Sequence, residues 1–334
     1  MTHHCTVIAE AGVNHNGSIE LAYRLIDAAA AAGADYVKFQ TFRAETLATR
    51  AAPKAAYQQV TTGGSETQLE MLKRLELPLE AFAELAAYCA KCGVAFMSTP
   101  FDLEAANFLD AIGMTMFKVS SGDLTNTPLL RALGSKGKPV ILSSGMATLG
   151  EVEQAVQTLE SAGLTISNIS LLHCTTEYPA PAEEVNLRAM ETLRAAFPGA
   201  MIGYSDHTQG TEIPIAATAL GARVIEKHFT LDRSMEGPDH KASLEPAELA
   251  AMIRGIRRVE VALGDGRKRP TPSELPNRAV ARKSIVAARP IAKGEILTAD
   301  NLAVRRPGNG LSPTRWDEIL GTAATRDYTQ DEPL

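Results

Sequence analysis

Apolar and polar positions alternate in blocks along this chain. Short β-branched runs that end in polar residues are separated by longer stretches with an apolar residue every three or four positions. The short runs predict strands over "TVIAEAG" (6–12), "YVKFQTF" (36–42), "VAFMSTP" (94–100), "MFKVSSG" (116–122), "PVILSSG" (139–145), "ISLLHCT" (169–175), "MIGYSDH" (201–207) and "VIEKHFT" (224–230). Between them the 3.6-residue period predicts helices such as "SIELAYRLIDAAAAAG" and "LEAFAELAAYCAKCG", and "EPAELAAMIRGIRRVEVALG" follows the last strand. Eight βα units in about 260 residues match a (β/α)8 TIM barrel. An open doubly wound sheet is the runner-up, but its dinucleotide-binding form lacks the GxGxxG expected after the first strand.

The pattern breaks twice. After the second strand, residues 43–78 exceed an ordinary βα loop, and on the active-site face of a barrel such a loop predicts a pocket wall or lid. Residues 264–280 are rich in Pro, Gly and charge and read as a linker. It would join a barrel domain at 1–263 to a module at 281–334 built from short strands such as "KSIVAARPI" and "GEILTADNLAVRRPG".

With 334 residues, 45% of them hydrophobic and 22% charged, the chain can bury a full core and is unlike a disordered one. A net charge of −6 without a long Lys/Arg block argues against nucleic acid as a partner. No apolar run reaches a membrane-spanning length and "MTHHCTVIAEAG" carries no signal-peptide pattern, so the expectation is a cytoplasmic enzyme or binding protein. Cys89 and Cys92 have CxxC spacing at a helix end without a second pair, and read as reduced helix cysteines.

In a parallel barrel the carboxyl ends of the strands build the site. Here every one is polar: Glu10, Lys38 with Gln40, Ser98 with Thr99, Lys118 with Ser121, Ser143 with Ser144, Cys174 with Thr175, Asp206 with His207, and Glu226 with His228. Alternation puts Glu226 and His228 on one face and Lys227 on the other. His207 and His228 on adjacent strand ends suggest an open divalent-metal site acting as a Lewis acid, with manganese, cobalt or zinc all compatible by ligand type. Lys38 and Lys118, with the hydroxyls of Thr99, Ser121 and Ser143, suit a small phosphorylated dianion. A Schiff-base lysine is the alternative. "NHNG" (14–17) is read as turn chemistry.

The chain resembles the sialic acid synthase family, the phosphoenolpyruvate-dependent nonulosonate synthases. The resemblance is carried by "AEAGVNHNGS", "GADYVKFQTF", "FMSTPFD", "FKVSSGD", "ILSSGM", "LHCTTEYP", "GYSDHT", "EKHFTLDR", "EGPDHKASL" and "RPGNG". It implies a (β/α)8 barrel followed by an antifreeze-like SAF domain, which a homodimer swaps onto the partner's barrel mouth. It also implies roles at matching positions. Glu10, Gln40, Asp123 and Glu226 would sit among the reacting groups, and Lys38, Thr99, Lys118, Ser121 and Ser143 would bind phosphoenolpyruvate. Thr176, Tyr178, Ser205, Asp239 and Arg306 would contact the sugar. His207 and His228 would hold Mn2+, with Mg2+ or Co2+ as substitutes. The implied reaction joins phosphoenolpyruvate to the aldehyde of an open-chain N-acetylated hexose.

Two departures narrow the resemblance. Many sialic acid synthases have Glu where this chain has Asp123, and members that use N-acetylmannosamine have Asn where it has Thr176. With the "KAAYQQ" loop, these point to the N,N'-diacetyllegionaminate branch, whose sugar is 2,4-diacetamido-2,4,6-trideoxymannose. N-Acetylneuraminate synthesis from N-acetylmannosamine is the main alternative, a Schiff-base pyruvate aldolase a second, and a carbohydrate- or ice-binding protein built on the terminal module a third.

Overall fold

A computed structural model describes residues 4–63 and 66–334. Gly64 and Ser65 of the long loop lie outside the described residues. The chain forms two compact units that part between Asp265 and Gly266.

The first unit contains eight parallel strands: β1 (Thr6–Gly12), β2 (Tyr36–Thr41), β3 (Ala95–Pro100), β4 (Phe117–Val119), β5 (Val140–Ser143), β6 (Ile169–Cys174), β7 (Met201–Asp206) and β8 (Val224–His228). The hydrogen-bonded ladder runs β3-β2-β1-β8-β7-β6-β5-β4, and β3 packs beside β4, so the barrel is closed but for that last ladder. Helices follow the strands, and their apolar stripes meet the outward strand residues in one continuous core that includes Leu25, Ile26, Phe39, Phe82, Phe117 and Leu142. Local signals fix the helix ends. Ser18 caps Ile19–Ala32, which stops at Gly33 in the left-handed conformation, and the Asp102 carboxylate accepts from Ala105 N at 2.7 Å to start Leu103–Ala111.

Inside the barrel, Ile8, Tyr36, Met97, Met116, Ile141, Leu172 and Val224 form an apolar floor. On β7 the equivalent position is Gly203, where a Cβ would lie 2.4 Å from the Val224 carbonyl and 2.6 Å from Leu172. Side chains repeat every second residue, so the next inward position on each strand is Glu10, Lys38, Thr99, Lys118, Ser143, Cys174, Ser205 and Glu226. The floor thus dictates which polar residues crown it.

β4 ends earlier than its sequence suggests. The Ser120 hydroxyl accepts from Asp123 N at 3.2 Å and turns the chain into a short 3₁₀ segment at Ser121–Asp123. The loop after β2 is likewise structured, with helices Ala44–Leu47, Ala56–Thr62 and Gln68–Leu75, and its Met71 and Leu75 pack on Val13 and Phe42.

The second unit, Gly266–Leu334, is built on antiparallel β9 (Ser284–Ala287) and β10 (Leu302–Arg305) around Ile285, Ile291, Leu297 and Leu302. Part of the stretch read as linker is helical, over Glu274–Ala281, and residues 321–334 contribute isolated bridges such as Ile291 to Tyr328. No helix among the described residues is long and apolar enough to cross a membrane.

Candidate active site

The crown of polar residues opens into a cavity of about 360 Å3 at the carboxyl ends of the strands. On one side stand two buried lysines. Lys38 Nζ lies 2.8 Å from Glu10 Oε2 and 3.5 Å from Glu226 Oε2, and donates to Thr99 Oγ1 at 3.1 Å. Lys118 Nζ donates to Ser143 Oγ at 2.7 Å and to the Val119 carbonyl at 3.1 Å, and lies 3.6 Å from Glu226 Oε1. Ser205 donates to Glu226 Oε1 at 2.9 Å, so Glu226 is held between two cations and a hydroxyl.

The two carboxyl groups are driven apart. Burial would raise Glu226, but the Lys118 and Lys38 ammoniums overrule it and hold it below the usual carboxylate range. For Glu10 burial wins over Lys38 and pushes the group up to about 7. At neutral pH the site therefore holds one firm carboxylate and one that shares a proton. Burial lowers Lys118, whereas Lys38 is raised because Glu10 and then Glu226 outweigh its desolvation. Gln40 donates to Glu10 Oε1 at 3.3 Å, and both approach Gly12. A Cβ there would stand 3.3 Å from the Glu10 carboxylate and 3.5 Å from His228, and φ at this bulged position is +52°.

Across the cavity the rings of His207 and His228 lie 5.3 Å apart. His207 Nδ1 donates to the Thr175 carbonyl at 2.7 Å, which leaves the Nε2 lone pair free. The Cys174 sulfur, 3.7 Å from the same nitrogen, raises the basicity of His207 against its burial. His228 is kept neutral by burial and then by His207, and its buried Nδ1 has no hydrogen-bond partner, with Asp239 Oδ2 at 3.9 Å. Among the described residues no three or more His, Cys, Asp or Glu side chains close on a common point for a metal ion. A neutral His228 with an orphaned Nδ1, beside a His207 whose Nδ1 is held by the Thr175 carbonyl, fits an open divalent site that would release the proton of His207 on binding.

The residues expected from the sequence gather here with two exceptions. Glu10, Gln40, Glu226, Lys38, Thr99, Lys118, Ser121, Ser143, Thr176, Tyr178, Ser205, Asp239, His207 and His228 all line the cavity. The buried Thr176 hydroxyl has no partner, and burial raises Asp239 to about 6. Asp123 does not line it. Its carboxylate accepts from the Ser120 hydroxyl at 2.7 Å and the Asn126 amide at 3.0 Å, closing the turn after β4 instead of facing the reacting groups. Arg306 belongs to the second unit, where it is exposed beside the cis bond to Pro307.

Other features escaped the sequence. Tyr57, on the first of the longer lid helices, lies 4.9 Å from the Tyr178 ring, which in turn stacks on His207 at 4.0 Å. Leu47, Met71, Leu72 and Leu75 give the same loop an apolar wall, so the expected pocket wall is present. The amphipathic pattern of "QLEMLKRL" was the available signal. "NHNG" is more than a turn: the buried Asn14 amide donates to the Phe229 carbonyl at 2.8 Å and to Ser243 at 3.0 Å, tying the loops after β1 and β8. Lys227 points away from the barrel axis as alternation requires, yet it is fully buried.

Comparison with known proteins agrees with this geometry. The NeuB family model matches residues 25–268 and the SAF domain model matches residues 282–334. An N,N'-diacetyllegionaminic acid synthase of Campylobacter jejuni is 53% identical over 98% of this chain and 97% of its own length. One from Legionella pneumophila is 46% identical over 99% and 93%. The crystal structure of an N-acetylneuraminic acid (sialic acid) synthetase from Leptospira borgpetersenii in complex with citrate superposes with a TM-score of 0.72 at 36% identity, covering 83% of this chain and 90% of that one. This chain belongs to the NeuB family and carries a SAF domain at residues 282–334.

Proposed function

We propose that the chain is a nonulosonic acid synthase that joins C3 of phosphoenolpyruvate to the aldehyde carbon of open-chain 2,4-diacetamido-2,4,6-trideoxymannose, giving N,N'-diacetyllegionaminate and phosphate. The observation that carries this reading is the meeting, in one cavity, of a two-lysine anion cradle and a pair of adjacent imidazoles. The 53% identity to the Campylobacter jejuni enzyme along the whole chain supports the choice of sugar.

Lys38 and Lys118 would bind the phosphate and carboxylate of phosphoenolpyruvate, with Thr99, Ser121 and Ser143 orienting the anion. Because Glu10 sits at about 7, the two ammoniums are not fully neutralised and keep charge for the substrate. His207 and His228 would hold the divalent ion, manganese in our reading with magnesium or cobalt as substitutes. Bound there, the ion supplies a Lewis acid for the aldehyde oxygen. As the C–C bond forms, Glu10 is placed to deliver its proton to the new alkoxide, with Gln40 orienting it. The resulting cation at C2 takes up water, Glu226 accepts the released proton, and the hemiketal phosphate collapses with loss of phosphate. Thr176, Tyr178, Ser205 and Asp239 would hold the sugar, with Asp123 shaping the loop beside them.

The N-acyl group would be held by Arg306 of the partner subunit in a domain-swapped homodimer. Charge favours such a pairing: residues 266–334 hold 12 Lys and Arg against 8 Asp and Glu, while the rest of the chain holds 21 against 31. The free cysteines Cys5, Cys89, Cys92 and Cys174 suit a cytoplasmic enzyme.

Mass spectrometry after offering phosphoenolpyruvate with each sugar tests the reading. The diacetamido sugar should yield the nine-carbon acid and inorganic phosphate, and His228→Ala should yield neither while remaining folded. Faster turnover of N-acetylmannosamine would replace the substrate assignment. A covalent adduct trapped by borohydride with pyruvate would replace the mechanism, since the depressed Lys118 is the group a Schiff base would use.

A further inference from the structure

Behind the cavity, β7 and β8 carry a second pair of charges. Asp206 and Lys227 face each other across the β7 to β8 ladder, neither has exposed surface, and Lys227 Nζ lies 2.5 Å from Asp206 Oδ2. The carboxylate is saturated. Its Oδ1 accepts from the Tyr204 hydroxyl at 3.0 Å and from Thr208 N at 3.1 Å, and Oδ2 also accepts from the Thr208 hydroxyl at 3.0 Å. Lys227 donates in addition to the Thr208 carbonyl. One ion pair therefore joins β7, the loop after it and β8.

Desolvating two charges costs so much that apolar residues of the same volume often stabilise a core as well or better. The surrounding outward layer is apolar, with Ile202, Ile225 and Phe229 close by in sequence, so stability alone is a poor reason for this pair. Position gives a better one. Ser205 and His207 flank Asp206, Glu226 and His228 flank Lys227, and alternate residues face opposite sides of a strand. The outer pair is thus bracketed on the inner face by the 2.9 Å bond from Ser205 to Glu226 and by the two imidazoles. A slip of β8 along β7 that would part His207 from His228 must first break the contact between Asp206 and Lys227.

We propose that Asp206 and Lys227 are positioning residues that fix the separation of His207 and His228 and hence the geometry of the divalent-cation site. The proposal rests on the reading that these imidazoles share an ion, and the test separates the two. Binding of Mn2+ to the full chain is followed through the paramagnetic resonance signal of the free ion, alongside melting temperature and steady-state kinetics. The proteins compared are the wild type, His228→Ala, Lys227→Met and the double variant D206N/K227M. Mn2+ bound by the wild type and lost in His228→Ala establishes the shared ion. If the wild type binds none, or His228→Ala binds equally well, that reading fails and the proposal falls with it.

Lys227→Met strands a buried carboxylate and lowers the melting temperature. D206N/K227M is neutral and retains an acceptor for Tyr204 and Thr208, so it regains most of that loss. If the pair positions the histidines, the double variant nevertheless binds Mn2+ about tenfold or more weakly than the wild type. Its kcat falls, while the KM for phosphoenolpyruvate, whose partners lie on β2 to β5 and the loop after β4, stays unchanged. A double variant with wild-type Mn2+ affinity and kcat overturns the proposal. Should it fail to fold, Tyr204→Phe removes only the hydroxyl that holds Asp206. A loss of about threefold or more in Mn2+ affinity then supports the proposal and wild-type affinity overturns it.

Discussion

His15 is 1% exposed in the turn after β1, and its Nε2 has no hydrogen-bond partner. Burial lowers its pKa from 6.5 to about 4. Between those values the unfolded chain binds more protons than the native one, so this residue's contribution to stability is present above pH 6.5 and is lost as pH falls toward 4. The shift corresponds to something on the order of 3 kcal/mol. Glu10 works in the opposite direction, because its raised pKa makes the native state the better proton binder between 4.5 and 7. Overall stability of the wild type is therefore a poor readout, and the difference from a variant is the useful one. Urea denaturation of the wild type and His15→Gln should show the wild type gaining on the variant as pH rises from 4 to 6.5. A difference independent of pH would mean that His15 is not held neutral by the fold.

The loops after β4, β5 and β6 meet at Gly145, whose N donates to Ser121 Oγ at 3.0 Å. A Cβ on Gly145 would fall 2.1 Å from Thr176 Oγ1 and 2.8 Å from Ser121 Oγ. Gly145→Ala must therefore displace together Ser121, which we propose orients phosphoenolpyruvate, and Thr176, which we propose holds the sugar. Both KM values should rise, each by about tenfold if one charge-assisted or neutral hydrogen bond is lost per substrate, with little change in melting temperature. A rise in only one KM would show that the loops move independently. The elements around this point were legible to different degrees. Strands stood out because residues covered on both faces form continuous apolar runs, and the two-residue period then put Glu226 and His228 on one face and Lys227 on the other, whereas the inward placement of Thr99, Lys118 and Ser143 needed the apolar floor below them. The same period gives a side chain's face and not what lies over that face, which is why the burial of Lys227 beneath the helical layer was not visible. Asp123 was put among the reacting groups by the resemblance alone, and a Ser-x-x-Asp turn that ties up its carboxylate leaves no periodic signal to warn of it. The lid helices are short, so their pattern spans too few turns to be read from periodicity alone.

At the scale of the whole molecule, the cavity of the barrel unit gathers the residues proposed for both substrates, while Arg306 is carried by the other compact unit. Domain swapping makes a specific claim about which subunit completes which site, and variants can be paired to test it. A His228→Ala subunit lacks a working barrel but keeps Arg306, whereas an Arg306→Ala subunit keeps its barrel and lacks the arginine. Assayed at a sugar concentration well below KM, each homodimer should be nearly inactive. Mixed by co-expression, half of the dimers are hybrids, and in a swapped hybrid the intact barrel receives the intact Arg306, leaving one complete site of two. Activity should then return to roughly a quarter of the wild-type value per subunit. If each SAF domain serves its own barrel, both sites of the hybrid are defective and mixing restores nothing. That outcome would leave the barrel chemistry intact and move Arg306 from the partner's site to its own.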